Sequence, residues 1–323
     1  MLSLRLGTDG PVLPRMGLGC MSMSHPGRDR AESLRTLQTA IDRGVNFLDT
    51  ADKYGKGDNE RLVAEAIRGR HDDVVVATKV GFVGSSRDPR PIDGSPRHIH
   101  TAARRSLERL EVETIDLLYL HRVDPAVPIE ESVGALAELV AGGIVRHVGL
   151  SEAGPNTLRR AHAVHPIAAL QSEYSLWTRE PEAEVLGVCR DLGTTFVAYS
   201  PLGIGFLTGT VRDRDDLPEG NRLAKGPRVE PGNLEHNLTL VEQLAAVAER
   251  VGCTPAQLAL AWLMARDVVP IPGSARVEHL LENVAALEVQ LGDEDLSEID
   301  RIAPPGAAAG TRKSQEGLSL TGR

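Results

Sequence analysis

Tyr54, Lys79, His121 and Asp49 are polar residues that stand where apolar runs stop. Asp49 opens the segment Asp49-Thr50-Ala51-Asp52-Lys53-Tyr54-Gly55 after the run Val45 to Leu48. Lys79 closes Val74 to Thr78, and His121 closes Ile115 to Leu120. Together these four types make a proton donor. A phenol with its ordinary pKa of about 10 is a poor acid near neutrality. An ammonium beside it favours the phenolate, and a carboxylate can hold that ammonium in place. An imidazole adds a donor able to orient a carbonyl oxygen. Each residue also has a bland explanation: Asp49 capping a turn, Lys79 as a solvated strand end, His121 as a satisfied core histidine. Their joint occurrence at the ends of three consecutive predicted strands is what points to chemistry.

Eight elements must do the positioning. Apolar, partly β-branched runs recur at Met16 to Cys20, Val45 to Leu48, Val74 to Thr78, Ile115 to Leu120, Ile144 to Leu150, Ile167 to Leu170, Thr194 to Tyr199 and Val268 to Ile271. These read as buried strands. Helical spacing lies between them, in Leu34, Leu37 and Ile41; Ala103, Leu107 and Leu110; Val241, Leu244, Ala245 and Ala248; and Leu258, Ala261, Trp262 and Ala265. Start signals agree at Ser95-Pro96 and at the capping box of Thr254 to Gln257. Eight alternating cycles without a break predict an α/β chain closed as a (β/α)8 barrel in one domain spanning residues 1–323. Leu4 to Leu6 and Val12 to Leu13 around Asp9-Gly10 predict an N-terminal hairpin with a tight two-residue turn. Barrels carry chemistry at the carboxyl ends of their strands. Asp49 and Tyr54, Lys79, His121, Ser151, Gln171, Tyr199 with Ser200, and Ser274 all fall there in order.

Composition narrows the function classes. The chain has 323 residues, 41% of them hydrophobic, and a formal charge of −9 at pH 7. That is enough for one large core, and the acidic balance argues against nucleic-acid or acidic-membrane partners, which need clustered Lys and Arg. Arg104-Arg105 and Arg159-Arg160 read as solvated helix faces. Cys20, Cys189 and Cys253 are too few and too scattered for a disulfide framework or a metal pair. His98-Ile-His100 and His162-Ala-Val-His165 lack accompanying ligands, so no metal is expected. No Gly-x-Ser-x-Gly elbow occurs. The amino terminus from Met1 shows no leader pattern and no run has membrane length, so the expectation is a soluble, cytoplasmic protein. Gly203-Ile-Gly205-Phe-Leu-Thr-Gly209 has the wrong glycine spacing for a dinucleotide fingerprint. The Gly-, Pro- and charge-rich stretch from Gly203 to about Gly232 reads instead as a long loop after the seventh strand.

The ordered series Met16-Gly-Leu-Gly-Cys20, Asp49 to Gly55, Ala77-Thr-Lys79, Ile115-Asp-Leu-Leu-Tyr-Leu-His121, Val148-Gly-Leu-Ser151, Ala198-Tyr-Ser-Pro-Leu-Gly203 and Ile271-Pro-Gly-Ser274 covers nearly the whole chain. It resembles the aldo-keto reductases, NADPH-dependent enzymes built on a TIM barrel. The resemblance implies an oxidoreductase that reduces an aldehyde or ketone to the alcohol. Tyr54 would be the general acid, Lys79 the residue that lowers its pKa, Asp49 the holder of Lys79, and His121 the residue that orients the carbonyl. It also implies a hairpin plugging the barrel floor and a clamp over the cofactor formed by the loop after the seventh strand. Cofactor contacts are carried over to Gly19, Cys20, Met21, Asp49, Ser151, Gln171, Tyr199, Ser200, Pro201, Leu202, Gly203, Gly205, Ser274, Arg276, His279, Glu282 and Asn283. Tyr199 would stack on the nicotinamide, Ser151 and Gln171 would bond its carboxamide, and Ser200, Leu202 and the glycines would approach the phosphates. Turn formation explains those glycines nearly as well.

The amino end of the helix after Ser274 suits an adenosine 2′-phosphate, which implies NADPH/NADP+ over NADH. Many relatives carry a lysine where Gly273 stands and an arginine or glutamine where His279 stands, and Arg276 and Ser274 are the substitutes available here. Glu282 and Asn283 match adenine contacts, with ordinary helix surface as the competing explanation. Met21, Met23, His25, Phe82, Arg122, Tyr174, Trp177 and Lys313 are candidate pocket residues for a small carbonyl substrate, with core packing as the alternative for most. The Ala- and Gly-rich end, Pro304 to Arg323, either lines that pocket or is loosely ordered. Two other functions compete: an NADPH-binding regulatory subunit of a membrane channel, and a barrel enzyme using Lys79 as a Schiff-base amine. Subunit number leaves no signature in the chain.

Overall fold

A computed structural model describes residues 3–84, 91–217 and 222–322. The first two residues of the amino-terminal reading, residues 218–221 of the predicted loop and Arg323 of the tail lie outside them. The strands are β1 (Ser3–Arg5), β2 (Val12–Pro14), β3 (Leu18–Gly19), β4 (Phe47–Asp49), β5 (Val75–Val80), β6 (Ile115–Leu120), β7 (Val145–Ser151), β8 (Ala169–Glu173), β9 (Thr195–Tyr199) and β10 (Val269–Ile271). The helices are α1 (Arg30–Asp42), α2 (Asp58–Ile67), α3 (Pro96–Leu110), α4 (Ile129–Ala141), α5 (Pro155–Val164), α6 (Val185–Leu192), α7 (Asn233–Val251), α8 (Pro255–Met264), α9 (Val277–Ala285), α10 (Asp293–Ile302) and α11 (Gln315–Leu318).

Strands β3 to β10 lie side by side in sequence order, every pairing parallel. The ring closes where Gly19 bridges Gly273, with Gly17 N donating to Pro270 O at 3.0 Å and Gly19 N to Pro272 O at 3.1 Å. The eight predicted runs are therefore the eight barrel strands, and the fold is a (β/α)8 TIM barrel. Each run is buried on both faces, against the barrel interior on one side and the helical ring on the other, which is why it reads as continuously apolar rather than alternating.

The interior is a small, separate core in which Phe47, Ala77, Leu117, Tyr119, Ala169, Val197, Val269 and Ile271 meet Leu6 and Leu13 from the hairpin. The hairpin pairs Leu4 with Leu13 and so closes the floor with apolar side chains. Its connection is longer than the predicted two-residue turn. Leu6 N donates to Pro11 O at 2.9 Å and Gly10 N to Leu6 O at 3.0 Å, and Gly7, not Gly10, takes the positive φ of 61°. The chain curls because Leu6 turns inward to fill the barrel, leaving Asp9-Gly10 in the return arc.

Several strand edges also differ from expectation. Of Met16 to Cys20 only Leu18–Gly19 forms strand β3, and before it the chain passes close over the Phe47 ring, where a β-carbon on Gly17 would sit 2.6 Å from it. Asp49 is the closing residue of β4 and Lys79 the penultimate residue of β5, not the first residues after those strands, and β8 runs on through Gln171 to Glu173. Polar side chains at the strand mouths are satisfied by neighbouring strands, so pairing continues past the point where apolar residues end.

Helix starts follow the expected chemistry. Ser95 accepts from His98 N at 3.4 Å. Thr254 Oγ1 accepts from Gln257 N at 3.2 Å, while Gln257 Oε1 accepts from Thr254 N at 3.0 Å, with Pro255 at the first helical position. The predicted loop after β9 is, in its described parts, a chain of short 3-10 turns that buries Phe206, Leu207, Val211, Leu217, Leu223, Arg228 and Val229. It packs because Trp177 stacks on Phe206 at 4.8 Å between ring centres and Arg228 lies 4.5 Å from the Trp177 ring. Among the described residues no helix is long and apolar enough to cross a membrane.

Leu6→Ala removes a fully buried floor residue. It is expected to lower unfolding free energy by about 2–5 kcal/mol, measured by urea denaturation; a loss below 1 kcal/mol would show that the plug carries little of the stability.

Candidate active site

The carboxyl ends of β4, β5 and β6 bring Asp49, Lys79 and His121 to one mouth of the barrel, and the turn after β4 carries Tyr54 over them. Lys79 is fully buried and Asp49 nearly so. Lys79 Nζ donates to Asp49 Oδ1 at 2.5 Å, to Thr50 O at 2.7 Å and to Tyr54 Oη at 3.3 Å. Gln171 Nε2 donates to the other Asp49 oxygen at 2.6 Å. Burial pulls the Lys79 pKa down, but Asp49 and Tyr54 outweigh it and leave it raised. Lys79 is thus held as an ammonium, the form that cannot add to a carbonyl as a Schiff-base amine must. Burial raises the Asp49 carboxyl, against the opposing pull of Lys79 and Gln171.

The Tyr54 ring stands edge-on to His121, 6.0 Å between centres at 82°, and the Phe82 ring meets the same imidazole at 5.5 Å and 61°. Burial, then the charges of Arg122, Lys79, Lys53 and Lys313, push the His121 pKa well below its usual value. The imidazole is therefore neutral at physiological pH, with one N–H to donate. Its Nδ1 is buried with no partner among the described residues.

The bend that delivers Tyr54 depends on glycine. Gly55 and Gly57 have φ of 56° and 93°, and a β-carbon on Gly57 would stand 2.6 Å from Arg109 Cδ. Behind the bend, the start of α2 is tied to the strand ends by buried polar groups. Thr50 Oγ1 donates to Asn59 Oδ1 at 2.7 Å, Asn59 Nδ2 to Cys20 O at 2.8 Å, Thr78 Oγ1 to Glu60 Oε1 at 2.7 Å, and Arg109 Nε to Glu60 Oε2 at 2.6 Å. Burial and then Glu60 raise Asp52 to about 7. Asn59, Glu60 and Arg109 escaped the sequence reading. The available signal was that Asn59 and Glu60 fall three places before Leu62 and Val63 respectively, on the apolar face of α2, where polar types need a partner.

The expected cofactor contacts trace the rest of the mouth. Gly19 and Gly273 meet at the barrel seam, next to buried Cys20 and half-buried Met21. The thiol of Cys20 is pushed up by burial. Ser151 ends β7, and its Oγ accepts from Arg122 Nη1 at 3.0 Å. Gln171 spends its amide N–H on Asp49, leaving its oxygen for other partners. Tyr199 ends β9, with its hydroxyl donating to Glu152 Oε1 at 2.6 Å and accepting from Lys313 Nζ at 2.6 Å. Lys313 Nζ lies 5.2 Å from the ring centre, so it sits beyond the ring's edge and not above its face.

Beyond β9 the backbone is strained. Ser200 and Ile204 have φ of 50° and 60°, like Glu152 at 57° after β7 and Lys56 at 56° after Tyr54. Non-glycine residues in this region cost free energy and gather at functional sites. Pro201, Leu202, Gly203 and Gly205 continue that turn, where a β-carbon on Gly203 would meet the Trp177 indole at 2.6 Å. Ser274 Oγ accepts from Arg276 N at 3.1 Å just before α9, and the Arg276 guanidinium touches exposed His279. Glu282 gives its carbonyl to Gln257 Nε2 at 3.1 Å. Asn283 is buried, which removes the competing explanation of ordinary surface for that residue.

Of the substrate-pocket candidates, Phe82 and Arg122 flank His121, Lys313 reaches Tyr199, and Met23, Tyr174 and Trp177 are buried in the core. The carboxyl-terminal tail is docked, not loose. Arg312 Nη1 and Nη2 bind both oxygens of buried Glu152 at 2.7 Å each, and Gly322 N donates to Glu152 O at 2.9 Å. Burial would raise the Glu152 carboxyl, but the hydrogen bond from Arg312 and the charges of Lys313, Arg312 and Arg122 bring it down to about 2. Among the described residues no group of His, Cys, Asp and Glu is arranged to hold a metal ion. His100 of the suggestive pair bonds Glu138 at 3.0 Å instead.

Comparison with known proteins places this geometry among related chains. The family model described as "Aldo/keto reductase family" matches residues 15–304. A probable aldo-keto reductase of Glycine max is 42% identical over 315 residues, covering 96% of this chain and 91% of the relative. The solved glycerol dehydrogenase of Gluconobacter oxydans superposes with a TM-score of 0.86 at 28% identity, over 94% of this chain and 96% of that one. An aldo/keto reductase of Klebsiella pneumoniae, solved in complex with NADP and acetate, superposes at 0.77 with 29% identity, over 97% and 98%.

Two outcomes follow from the supporting contacts. Glu60→Gln leaves the Arg109 guanidinium without its carboxylate and is expected to cost about 3 kcal/mol in urea denaturation. The Glu152 contribution is fully present above the ordinary glutamate pKa of about 4.3 and is lost as pH falls through about 2. Glu152→Gln should remove that acid-side dependence and expose the tail at Arg312 to trypsin at neutral pH. Unchanged cleavage would show that other contacts hold the tail.

Proposed function

The chain belongs to the aldo/keto reductase family, an oxidoreductase family of carbonyl reduction, and we propose that it reduces an aldehyde or ketone with NADPH, using Tyr54 as the general acid. NADPH, when bound, supplies the hydride that adds to the carbonyl carbon and leaves as NADP+. The residues present suit such a group: Tyr199 offers a ring face clear of Lys313, Ser151 and the Gln171 oxygen stand at adjacent strand ends, and the open seam at Gly19 and Gly273 carries no side chain. Ser274, Arg276 and the first turn of α9 suit a phosphate beyond the ribose, which is the reason for favouring NADPH over NADH.

This chain's own residues do the proton chemistry. As the carbonyl electron pair moves onto oxygen, Tyr54 gives that oxygen its phenolic proton. The Lys79 ammonium, 3.3 Å from the phenol oxygen, stabilises the phenolate left behind, and Asp49 fixes the ammonium. Neutral His121 donates its N–H to the carbonyl oxygen and sets the angle of approach. Water returns the lost proton to Tyr54. General acid catalysis of this kind contributes about 10² to 10⁴-fold, and an aimed donor adds electrostatic stabilisation.

The observation that carries the reading is the contact of a phenol with a buried, carboxylate-fixed ammonium beside a neutral imidazole. The test follows NADPH consumption against aldehydes, ketones and quinones, with NADH in parallel. Tyr54→Phe is expected to cut kcat by about 10² to 10⁴-fold while quenching of protein fluorescence by NADPH persists. Full turnover in that variant would remove Tyr54 from the chemistry.

A further inference from the structure

The proposed reduction leaves the substrate class open, and one guanidinium narrows it. Arg122 follows His121 at the carboxyl end of β6 and is half-buried. Its Nη1 donates to His121 O at 2.6 Å and to Ser151 Oγ at 3.0 Å. The head group is thereby fixed between the mouths of β6 and β7, beside the imidazole proposed to orient the carbonyl. Arg109, Arg179 and Arg312 are also withdrawn from water, and each has a carboxylate within 2.7 Å. Among the described residues Arg122 has none at ion-pairing distance.

The neighbouring carboxylates are already engaged. Arg312 takes both oxygens of Glu152, and Tyr199 shares one of them. Glu173 stands 3.7 Å from Arg312, 3.8 Å from Lys313 and 3.9 Å from Arg228. Four cationic side chains (Arg122, Arg228, Arg312 and Lys313) therefore face two carboxylates at this side of the mouth. A partly desolvated cation with no carboxylate at ion-pairing distance is unfavourable alone and favourable once an anion reaches it. Nη1 is spent on neutral acceptors, so the rest of the guanidinium edge is what an oxyanion would meet.

Resting on the reductase reading, we propose that Arg122 is the anion-receiving residue of the carbonyl pocket. The favoured substrates then carry a carboxylate or phosphate a few bonds from the reacting carbonyl. Such a substrate would place its carbonyl oxygen on Tyr54 and His121 and its oxyanion on the adjacent guanidinium, fixing two points of the molecule at once. The preference would appear in the carbonyl kinetics, not in cofactor affinity.

The experiment compares kcat/KM, at saturating NADPH, within two matched pairs: 4-formylbenzoate against its methyl ester, and glyceraldehyde 3-phosphate against glyceraldehyde. At least one anion is expected to exceed its neutral partner by about tenfold to a hundredfold, the worth of a charge-assisted hydrogen bond. Which pair shows it identifies the oxyanion. Arg122→Gln should bring that ratio to near one, and Arg122→Lys should restore part of it. Calorimetric titration with benzoate, which cannot be reduced, should show binding that Arg122→Gln loses. Equal rates within both pairs, or a preference that survives in Arg122→Gln, would overturn the anion subsite and leave the reductase reading standing. No NADPH oxidation with any of the four would overturn both.

Discussion

An ammonium taken wholly out of water must spend all three of its N–H groups, and that requirement organises this barrel. Lys79 meets it with one carboxylate, one backbone carbonyl and one phenol. Asp49 and Thr50 come from a neighbouring strand and the residue after it, so their positions follow from parallel pairing. The third donor has only Tyr54 to find. The placement of the phenol is thus partly a consequence of satisfying a buried charge, and the same contact that keeps the fold from carrying an orphaned ammonium prepares an acid at the mouth. Removing a partner from such a pair is far more costly than its net contribution to stability suggests.

The groups behind the pair serve the same constraint at one remove. Gln171 occupies the second Asp49 oxygen, and Glu60 joins Thr78, next to Lys79 on β5, to Arg109 on α3. Each bond connects different elements, so helices α2 and α3 are registered against the strands by polar contacts as well as by apolar packing. The floor is closed differently. There the hairpin supplies Leu6 and Leu13, with no charge to satisfy, and the barrel's two ends divide into an apolar seal and a polar workplace.

The mouth on the side of β7 to β9 is governed by charge balance. Glu152 and Glu173 gather cations from the tail and from the turns after β9, and this links the last dozen residues to the centre of the chain. Tyr199 is held at its hydroxyl by members of that cluster. Strained backbone at Glu152, Ser200 and Ile204 coincides with the same region. Rigid strands end there and the chain must turn sharply to present side chains inward, so the strain lies where the proposed cofactor and substrate contacts are.

Much of this was written in the order of residues. Asp49, Lys79 and His121 stood out because each ends an apolar run, and Tyr54 because it lies in the loop after the first of them; eight such runs separated by helical spacing imply a closed parallel sheet whose strand ends share one face. The capping box at Thr254 was legible because cap chemistry is local, and the hairpin was legible from its two apolar arms, whereas its turn was not, because Leu6 is drawn into the barrel. Asn59 and Glu60 were hidden inside an otherwise ordinary helix. Nothing near Glu152 in the chain announced Arg312, 160 residues away, and the pairing of Arg122 with Ser151 depends on two strand ends lying side by side. The sequence by itself determined which residues had to be at a strand mouth, since periodicity and local propensity act over a few residues. Only the tertiary structure decided which charges are satisfied by one another and which half-buried guanidinium, among the described residues, has no carboxylate at ion-pairing distance. Electrostatic partnership depends on distance in space and on the water excluded between groups, and neither is a property of the linear order.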